Sequence, residues 1–243
     1  MQLIGHRGAA TQAPENSLAG LRYVASHTIK QVECDISVAS DGVAVVFHDE
    51  YLTRMTGDTR AILATSSSDL ESLRLWFDGG PTTEQIPTAL QWFNEVARLG
   101  LFLHCEIKVH DAEVARVVDA CLNAFQTSDL GLSQVRFSSF SVAAIERVKA
   151  QLPDSSVGLA CHTLVEIEHL NWDQLGIESV HLAVDGVSND ALERIAERKR
   201  QACVYTVNAL KALEGIETDL IAAVFTDDPV ALMADIRSGR AVP

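Results

Sequence analysis

VECDISVASDGVAVVF, residues 32–47, decides the fold. Its first half is a β-branched run, and the Asp41-Gly42 pair that follows is a strong signal for a tight hairpin. The run Val43 to Phe47 therefore folds back antiparallel on the strand before it and stands outside the main sheet. Eight β-branched runs remain: Gln2 to Gly5, Gln31 to Ile36, Leu101 to Ile107, Val135 to Ser138, Val157 to Cys161, Ser179 to Leu182, Ala202 to Val207 and Ala222 to Thr226. Most precede an amphipathic stretch, such as Ala112 to Phe125, Val142 to Gln151, Ser188 to Lys199 and Pro229 to Arg237. That alternation is the signature of repeated β-α units and a parallel sheet. Eight parallel strands in 243 residues match a closed (β/α)8 TIM barrel, a fold of typically ~250 residues. A doubly wound open sheet is the alternative.

The irregular segment between Arg54 and Pro87 is rich in Ser, Gly and Thr around an apolar patch at Leu73, Leu75, Trp76 and Phe77. It reads either as a loop anchored by its aromatic residues or as a lid. Together with the hairpin it forms an insertion over about 40–87 after strand two, and the whole of 1–243 is expected to be one domain because no linker divides it.

Nearly half of the residues, 47%, are hydrophobic and 21% are charged, enough apolar material for a large core. A net charge of −14 excludes the basic footprint that a nucleic-acid partner requires. A small anion can still be held locally, given a bound cation or a few well-placed Arg and Lys side chains. The five cysteines, Cys34, Cys105, Cys121, Cys161 and Cys203, are scattered and odd in number, so they read as reduced, mostly buried thiols. The opening run MQLIG reaches motif-like sequence at His6 too soon for a secretory leader, and no stretch approaches the ~20 apolar residues of a membrane span. A cytoplasmic location is the default expectation.

In a barrel of this kind functional residues collect at the C-terminal ends of strands. Strand one ends in His6-Arg7-Gly8, strand two carries Glu33 and Asp35, and strand three ends in Glu106-Ile107-Lys108. Side chains alternate along a strand, so Glu33 and Asp35 share one side, the same alternation puts Glu106 and Lys108 together, and Cys34 and Ile107 suit the helix-facing side. Three ionised carboxylates converging in a partly dry site call for a cation, and an all-oxygen set selects a hard divalent ion, Mg²⁺ or Ca²⁺, over zinc. His6 and His48 flank this cluster, and histidine is the usual side chain for moving protons near neutral pH. With Arg7 and Lys108 they form a set suited to a phosphoester. His27, His104, His110 and His169 read as hydrogen-bonded structural residues; His162 and His181, near strand ends, stay open.

GHRGAATQAPENSLAG at 5–20, VECDISVASDGVAVVFHDEYLTRMTG at 32–57 and CEIK at 105–108 resemble the glycerophosphodiester phosphodiesterase family. IPTALQWF at 86–93, SSF at 138–140, VYTVN at 204–208 and VFTDDP at 224–229 extend the resemblance over nearly the whole chain. It implies a (β/α)8 barrel that hydrolyses small glycerophosphodiesters, such as glycerophosphocholine, to glycerol 3-phosphate and an alcohol with one divalent metal ion. By the same resemblance His6 and His48 match the catalytic histidines, Glu33, Asp35 and Glu106 the metal ligands, and Arg7 and Lys108 the phosphate-binding residues. The implied mechanism is attack of the glycerol 2-hydroxyl on phosphorus, giving a cyclic phosphate that water opens, with His6 as base and His48 as acid. Pro14-Glu15-Asn16-Ser17 is expected to brace the loop after strand one, Asn16 or Ser17 capping the helix.

Two positions depart from the family pattern: Tyr205 stands where Trp is frequent, and His181 is followed by Leu-Ala-Val, so no substrate contact is expected at that strand end. Two rival functions fit the same barrel. A lysophospholipase D acting on lipid substrates would need an acyl groove and membrane attachment, which the acidic sequence disfavours. A non-catalytic phosphate-ester sensor should lack a histidine or a metal carboxylate, and none is missing.

Overall fold

The computed structural model describes residues 1–110 and 112–238. Its elements follow in the order β1 (Gln2–Gly5), α1 (Leu18–Ser26), β2 (Gln31–Val38), β3 (Ala44–Val46), α2 (Thr53–Thr56), α3 (Ser67–Ser72), β4 (Arg74–Phe77), β5 (Gly80–Gln85), α4 (Ala89–Leu99), β6 (Phe102–Ile107), α5 (Val114–Thr127) and β7 (Val135–Ser139). They continue with α6 (Val142–Gln151), β8 (Ser156–Cys161), α7 (Trp172–Leu175), β9 (Ile177–Ala183), α8 (Asn189–Glu197), β10 (Gln201–Tyr205), β11 (Ile221–Thr226) and α9 (Pro229–Arg237). Strands β1, β2 and β6 to β11 pair in parallel, and the pairing of β1 with both β2 and β11 closes the ring. The architecture is the closed eight-stranded (β/α)8 barrel expected from the sequence. The Asp41-Gly42 turn places β3 antiparallel on β2, with Ile36 opposite Val46 and Val38 opposite Ala44.

Period-two alternation sorts β2 into two faces. Cys34, Ile36 and Val38 join the large core between sheet and helices, while Glu33, Asp35 and Ser37 are equally buried on the opposite face. The helices have sequence-encoded ends. Thr88 accepts from Gln91 N and donates its own backbone N–H to the Gln91 side chain, a capping box that opens α4, and Gly100 ends it in the left-handed conformation at φ 64°.

The segment after β3 has a core of its own, built from Val45, Phe47, Leu52, Met55, Ile62, Leu70, Leu75 and Ile86. Of the apolar patch seen in the sequence, Leu75 is fully buried, while Trp76 is 39% exposed and lies against Gly57. The segment is thus a packed platform with its own hairpin, β4–β5. All five cysteines are free and buried. Among the described residues, no helix is long and apolar enough to cross a membrane.

Candidate active site

The site begins at a turn that only glycines allow. A Cβ on Gly5 would lie 2.3 Å from the Gly8 carbonyl oxygen, and Gly8 itself has φ +89°. This tight turn drops His6 and Arg7 directly over the end of β1. The Arg7 backbone N–H donates to Glu33 Oε2 at 2.8 Å, tying the turn to β2.

Glu33, Asp35 and Glu106 converge as the strand alternation predicts, each offering one carboxylate oxygen within 4.8 Å of the others. Asp35 is level with Glu106 across the β2–β6 pairing. Asn16 sets its orientation: the Asn16 amide donates to Asp35 Oδ2 at 2.9 Å and accepts from the Asp35 backbone at 3.2 Å. Ser17 alone caps α1, accepting from Gly20 N, so Asn16 works in the cluster and not as the cap. Lys108 Nζ lies 3.2 Å from Asp35 Oδ1 and also contacts Glu106, and Arg7 Nε lies 3.2 Å from Asp35 Oδ2.

The charges sort unequally over this cluster. Burial pushes the Asp35 carboxyl up, but Lys108, Arg7, His48 and the Asn16 hydrogen bond more than offset it and hold it far below the usual carboxylate range. Glu33 is raised by burial and by repulsion from Asp35 and Glu106. Burial works against the charged forms of Lys108 and Arg7, and the surrounding carboxylates outweigh it, so both stay cationic.

The residues present fit a divalent cation. Glu33 Oε1 is buried without a hydrogen-bond partner, an arrangement that is costly unless something else satisfies the oxygen. Three carboxylates and two cationic side chains sum to one negative charge; a divalent ion would reverse it to one positive charge, the sign that attracts a phosphodiester monoanion. The donors are all oxygens, which suits Mg²⁺ or Ca²⁺.

Both predicted histidines meet this cluster in one cavity. His6 Nδ1 is 2.7 Å from Asp227 Oδ1, and His48 Nδ1 is 2.7 Å from Asp49 Oδ1. A carboxylate accepts, so each Nδ1 carries a proton and each Nε2 is left for the cavity; His6 Nε2 is 4.0 Å from Glu33 Oε2. The cavity encloses about 310 Å³ and is lined on this side by His6, Arg7, Glu33, His48, Glu106 and Lys108. Facing them are Ser138, Phe140, His162, His181 and Tyr205. Phe140 packs edge-on to Tyr205 and tilted against His162, while the Tyr205 hydroxyl donates to the Cys161 carbonyl at 3.0 Å. A roomier cleft of about 480 Å³ beside the β4–β5 hairpin is bordered by Glu71, Glu84 and Arg22 and holds no comparable cluster.

Several positions are sharper than their sequence reading or differ from it. His162 and His181, which the sequence left open, both line the cavity, His181 buried and His162 exposed. His104 is buried and bonded to Gln31 as expected, whereas His169 is exposed. The sequence reading passed over the residues that hold the histidines. Asp49 had a signal, being adjacent to His48; Asp227 lies in the VFTDDP motif but 221 residues from the ring it binds.

The fold and the site define a (β/α)8-barrel hydrolase of phosphate esters. A family model described as the Glycerophosphoryl diester phosphodiesterase family matches residues 6–231, and the chain belongs to that family. It is 23% identical over 240 residues to a glycerophosphodiester phosphodiesterase of Caldanaerobacter subterraneus subsp. tengcongensis, with 98% of each chain covered. It is 23% identical over 254 residues to mouse glycerophosphodiester phosphodiesterase 1, covering 92% of this chain and 77% of the mouse protein. Among solved structures it is similar to an Oleispira antarctica phosphodiesterase in complex with the product sn-glycerol-3-phosphate, at 26% identity and a TM-score of 0.88 over 98% of this chain and 97% of that one.

Proposed function

We propose that the protein hydrolyses small glycerophosphodiesters to glycerol 3-phosphate and an alcohol, through a cyclic phosphate, with His6 and His48 exchanging protons and Glu33, Asp35 and Glu106 holding one Mg²⁺ or Ca²⁺ ion. The barrel and its insertion act together as one domain. The observation that carries this reading is that two carboxylate-held imidazoles present Nε2 to the cavity that contains the three carboxylates. The product held by the Oleispira antarctica relative agrees with the choice of substrate.

Arg7 and Lys108 bind the phosphoryl oxygens and fix the diester in the cavity. His6 Nε2 takes the proton of the glycerol 2-hydroxyl as that oxygen attacks phosphorus. The bond from phosphorus to the alcohol oxygen breaks, and His48, which enters the step as the imidazolium with a second proton on Nε2, gives that proton to the oxygen. In the second half the roles reverse: His48 takes a proton from water, the water oxygen attacks phosphorus, and His6 returns its proton to O2 of glycerol as the ring opens. His48 is the more exposed ring, 31% against 16% for His6, which suits the group that meets departing alcohol and incoming water. A bound divalent ion would supply Lewis-acid polarisation of the phosphoryl group and the attacking hydroxyl.

The test is replacement of each histidine by Ala, with glycerol 3-phosphate release as the readout. Each variant should lose about two orders of magnitude or more in kcat with the fold retained. A substrate with a nitrophenol leaving group, which needs no proton, should restore much of the first step in His48→Ala and little in His6→Ala. Wild-type-like turnover in either variant on the natural diester sinks the assignment.

A further inference from the structure

Arg54 lies outside the cavity, on the short helix α2 of the insertion, yet its guanidinium joins two parts of the site. Nε and Nη2 donate to the two oxygens of Asp49 at 2.6 and 2.9 Å. Nη1 and Nη2 donate to the two oxygens of Glu15 at 2.7 and 2.6 Å. Each of these carboxylates has a second partner that faces the substrate cavity: Asp49 Oδ1 takes His48 Nδ1 at 2.7 Å, and Glu15 Oε1 takes Arg7 Nη1 at 3.0 Å. Charge therefore alternates along an unbroken line from His48 through Asp49, Arg54, Glu15 and Arg7 to Asp35.

This joint answers a mechanical problem posed by the fold. Arg7 sits on the turn after β1, a barrel strand paired on both sides, but His48 follows β3, which lies outside the ring, paired with β2 on one side and bridged from Val45 to Thr88 on the other. Backbone bonds hold the hairpin to β2 as far as Phe47, whose N–H donates to the Asp35 carbonyl at 2.9 Å, but they do not set how the His48 and Arg7 side chains are placed beyond that point. A planar guanidinium can hold two carboxylates edge-on at once, and an ammonium cannot. Arg54 also neutralises Glu15, which would otherwise draw the Arg7 charge away from an incoming phosphate.

We propose that Arg54 is a positioning residue for the reaction, clamping the hairpin that carries His48 to the loop that carries Arg7 so that proton donor and phosphate anchor keep one geometry. The proposal rests on the role given to His48 above. It explains why a side chain remote from the substrate makes four charged hydrogen bonds on a segment that contributes no other wall to the cavity beyond His48.

The test measures kcat and KM for glycerol 3-phosphate release in Arg54→Gln, Arg54→Lys, the Glu15→Gln/Asp49→Asn double variant, and the triple variant. Arg54→Gln should lower kcat/KM by roughly tenfold or more, with kcat falling through His48 and KM rising through Arg7. Arg54→Lys keeps the charge but loses the fork, so it should recover no more than about a third of the lost activity. In the double variant, which lacks the carboxylates that Arg54 grips, adding Arg54→Gln should change kcat/KM by less than about twofold. A residue that only stabilises the fold would instead show a loss that tracks Tm and adds in full in the double background, and that result overturns the proposal. Wild-type kinetics in Arg54→Gln beside an inactive His48→Ala overturns it too while leaving the role of His48 standing; an active His48→Ala removes the reading beneath it. If Arg54→Gln does not fold, Arg54→Lys and its cycle carry the same outcomes.

Discussion

Asp227→Asn is an isosteric change whose effect can be worked out atom by atom. The Asn208 side-chain oxygen accepts from the Asp227 backbone at 2.8 Å and from the Thr226 hydroxyl at 3.2 Å, so its amide nitrogen must donate to the side chain at 227, which it does at 2.7 Å. An asparagine at 227 has one acceptor; giving it to Asn208 leaves the NH2 facing His6 Nδ1. That nitrogen must then accept, the proton moves to Nε2, and the lone pair that the cavity needs is gone. Losing the base amounts to about 10²–10⁴ in kcat, or roughly 3–5 kcal/mol in the barrier. Asp227→Ala imposes no tautomer on the ring, so its kcat should lie above that of Asp227→Asn although more atoms are removed. The assay is kcat at saturating substrate, with the Tm of each variant as control and 15N NMR of the His6 ring to read the tautomer. An Asp227→Asn enzyme within about threefold of wild type refutes the reasoning, as does an unchanged tautomer.

Other consequences test the site from its edges. Burial and the Arg136 charge push His181 down to about 3, while an unfolded histidine takes its proton near 6.5. Between those values the unfolded chain binds more protons, so stability should fall as pH drops from about 6.5 towards 3; His181→Gln should fall less steeply in urea denaturation at each pH, and parallel curves would contradict this. A Cβ on Gly158 would sit 2.6 Å from Ser179 Oγ and 2.7 Å from His181 Nε2, whose own hydrogen bond is 3.0 Å long. Gly158→Ala should therefore cost roughly 2–5 kcal/mol and lower Tm by several degrees; an unchanged Tm would show that the cavity floor yields freely. A bound divalent ion at 100 times its Kd should stabilise the wild type by about 2.7 kcal/mol, whereas Glu33→Gln should lose most of that gain. An equal thermal shift in both proteins would place the ion elsewhere.

The features legible in the sequence were those written locally. Alternation in β2 separated Glu33 and Asp35 from Cys34, and Asp41-Gly42 announced the return strand; both depend on neighbours within a few residues. The interior of the insertion was not legible, because β5 reads GPTTEQ with no apolar period, and its pairing rests on β4 and on Glu84 accepting from Ala19 N at 3.0 Å. The histidine supports divide in the same way. Asp49 adjoins its ring, while Asp227, itself held by Asn208, reaches His6 only because closure of the barrel brings β11 beside β1. The sequence left the cap of α1 open between Asn16 and Ser17 for a related reason: either polar residue can cap by propensity, and only the tertiary placement of β2 turns the Asn16 amide towards Asp35 and leaves the cap to Ser17. Arg54 carried only half a local sign, since Asp49 stands a turn or so before it in sequence while Glu15 sits on a distant loop.

The most direct measurement of the central claim is release of glycerol 3-phosphate from glycerophosphocholine by the purified protein, with Mg²⁺, with Ca²⁺ and after EDTA treatment. The account predicts turnover with one of these ions, its loss on chelation and its return when the ion is restored. Turnover that survives complete removal of divalent ions would contradict the carboxylate site, and no release with either ion would contradict the proposed reaction.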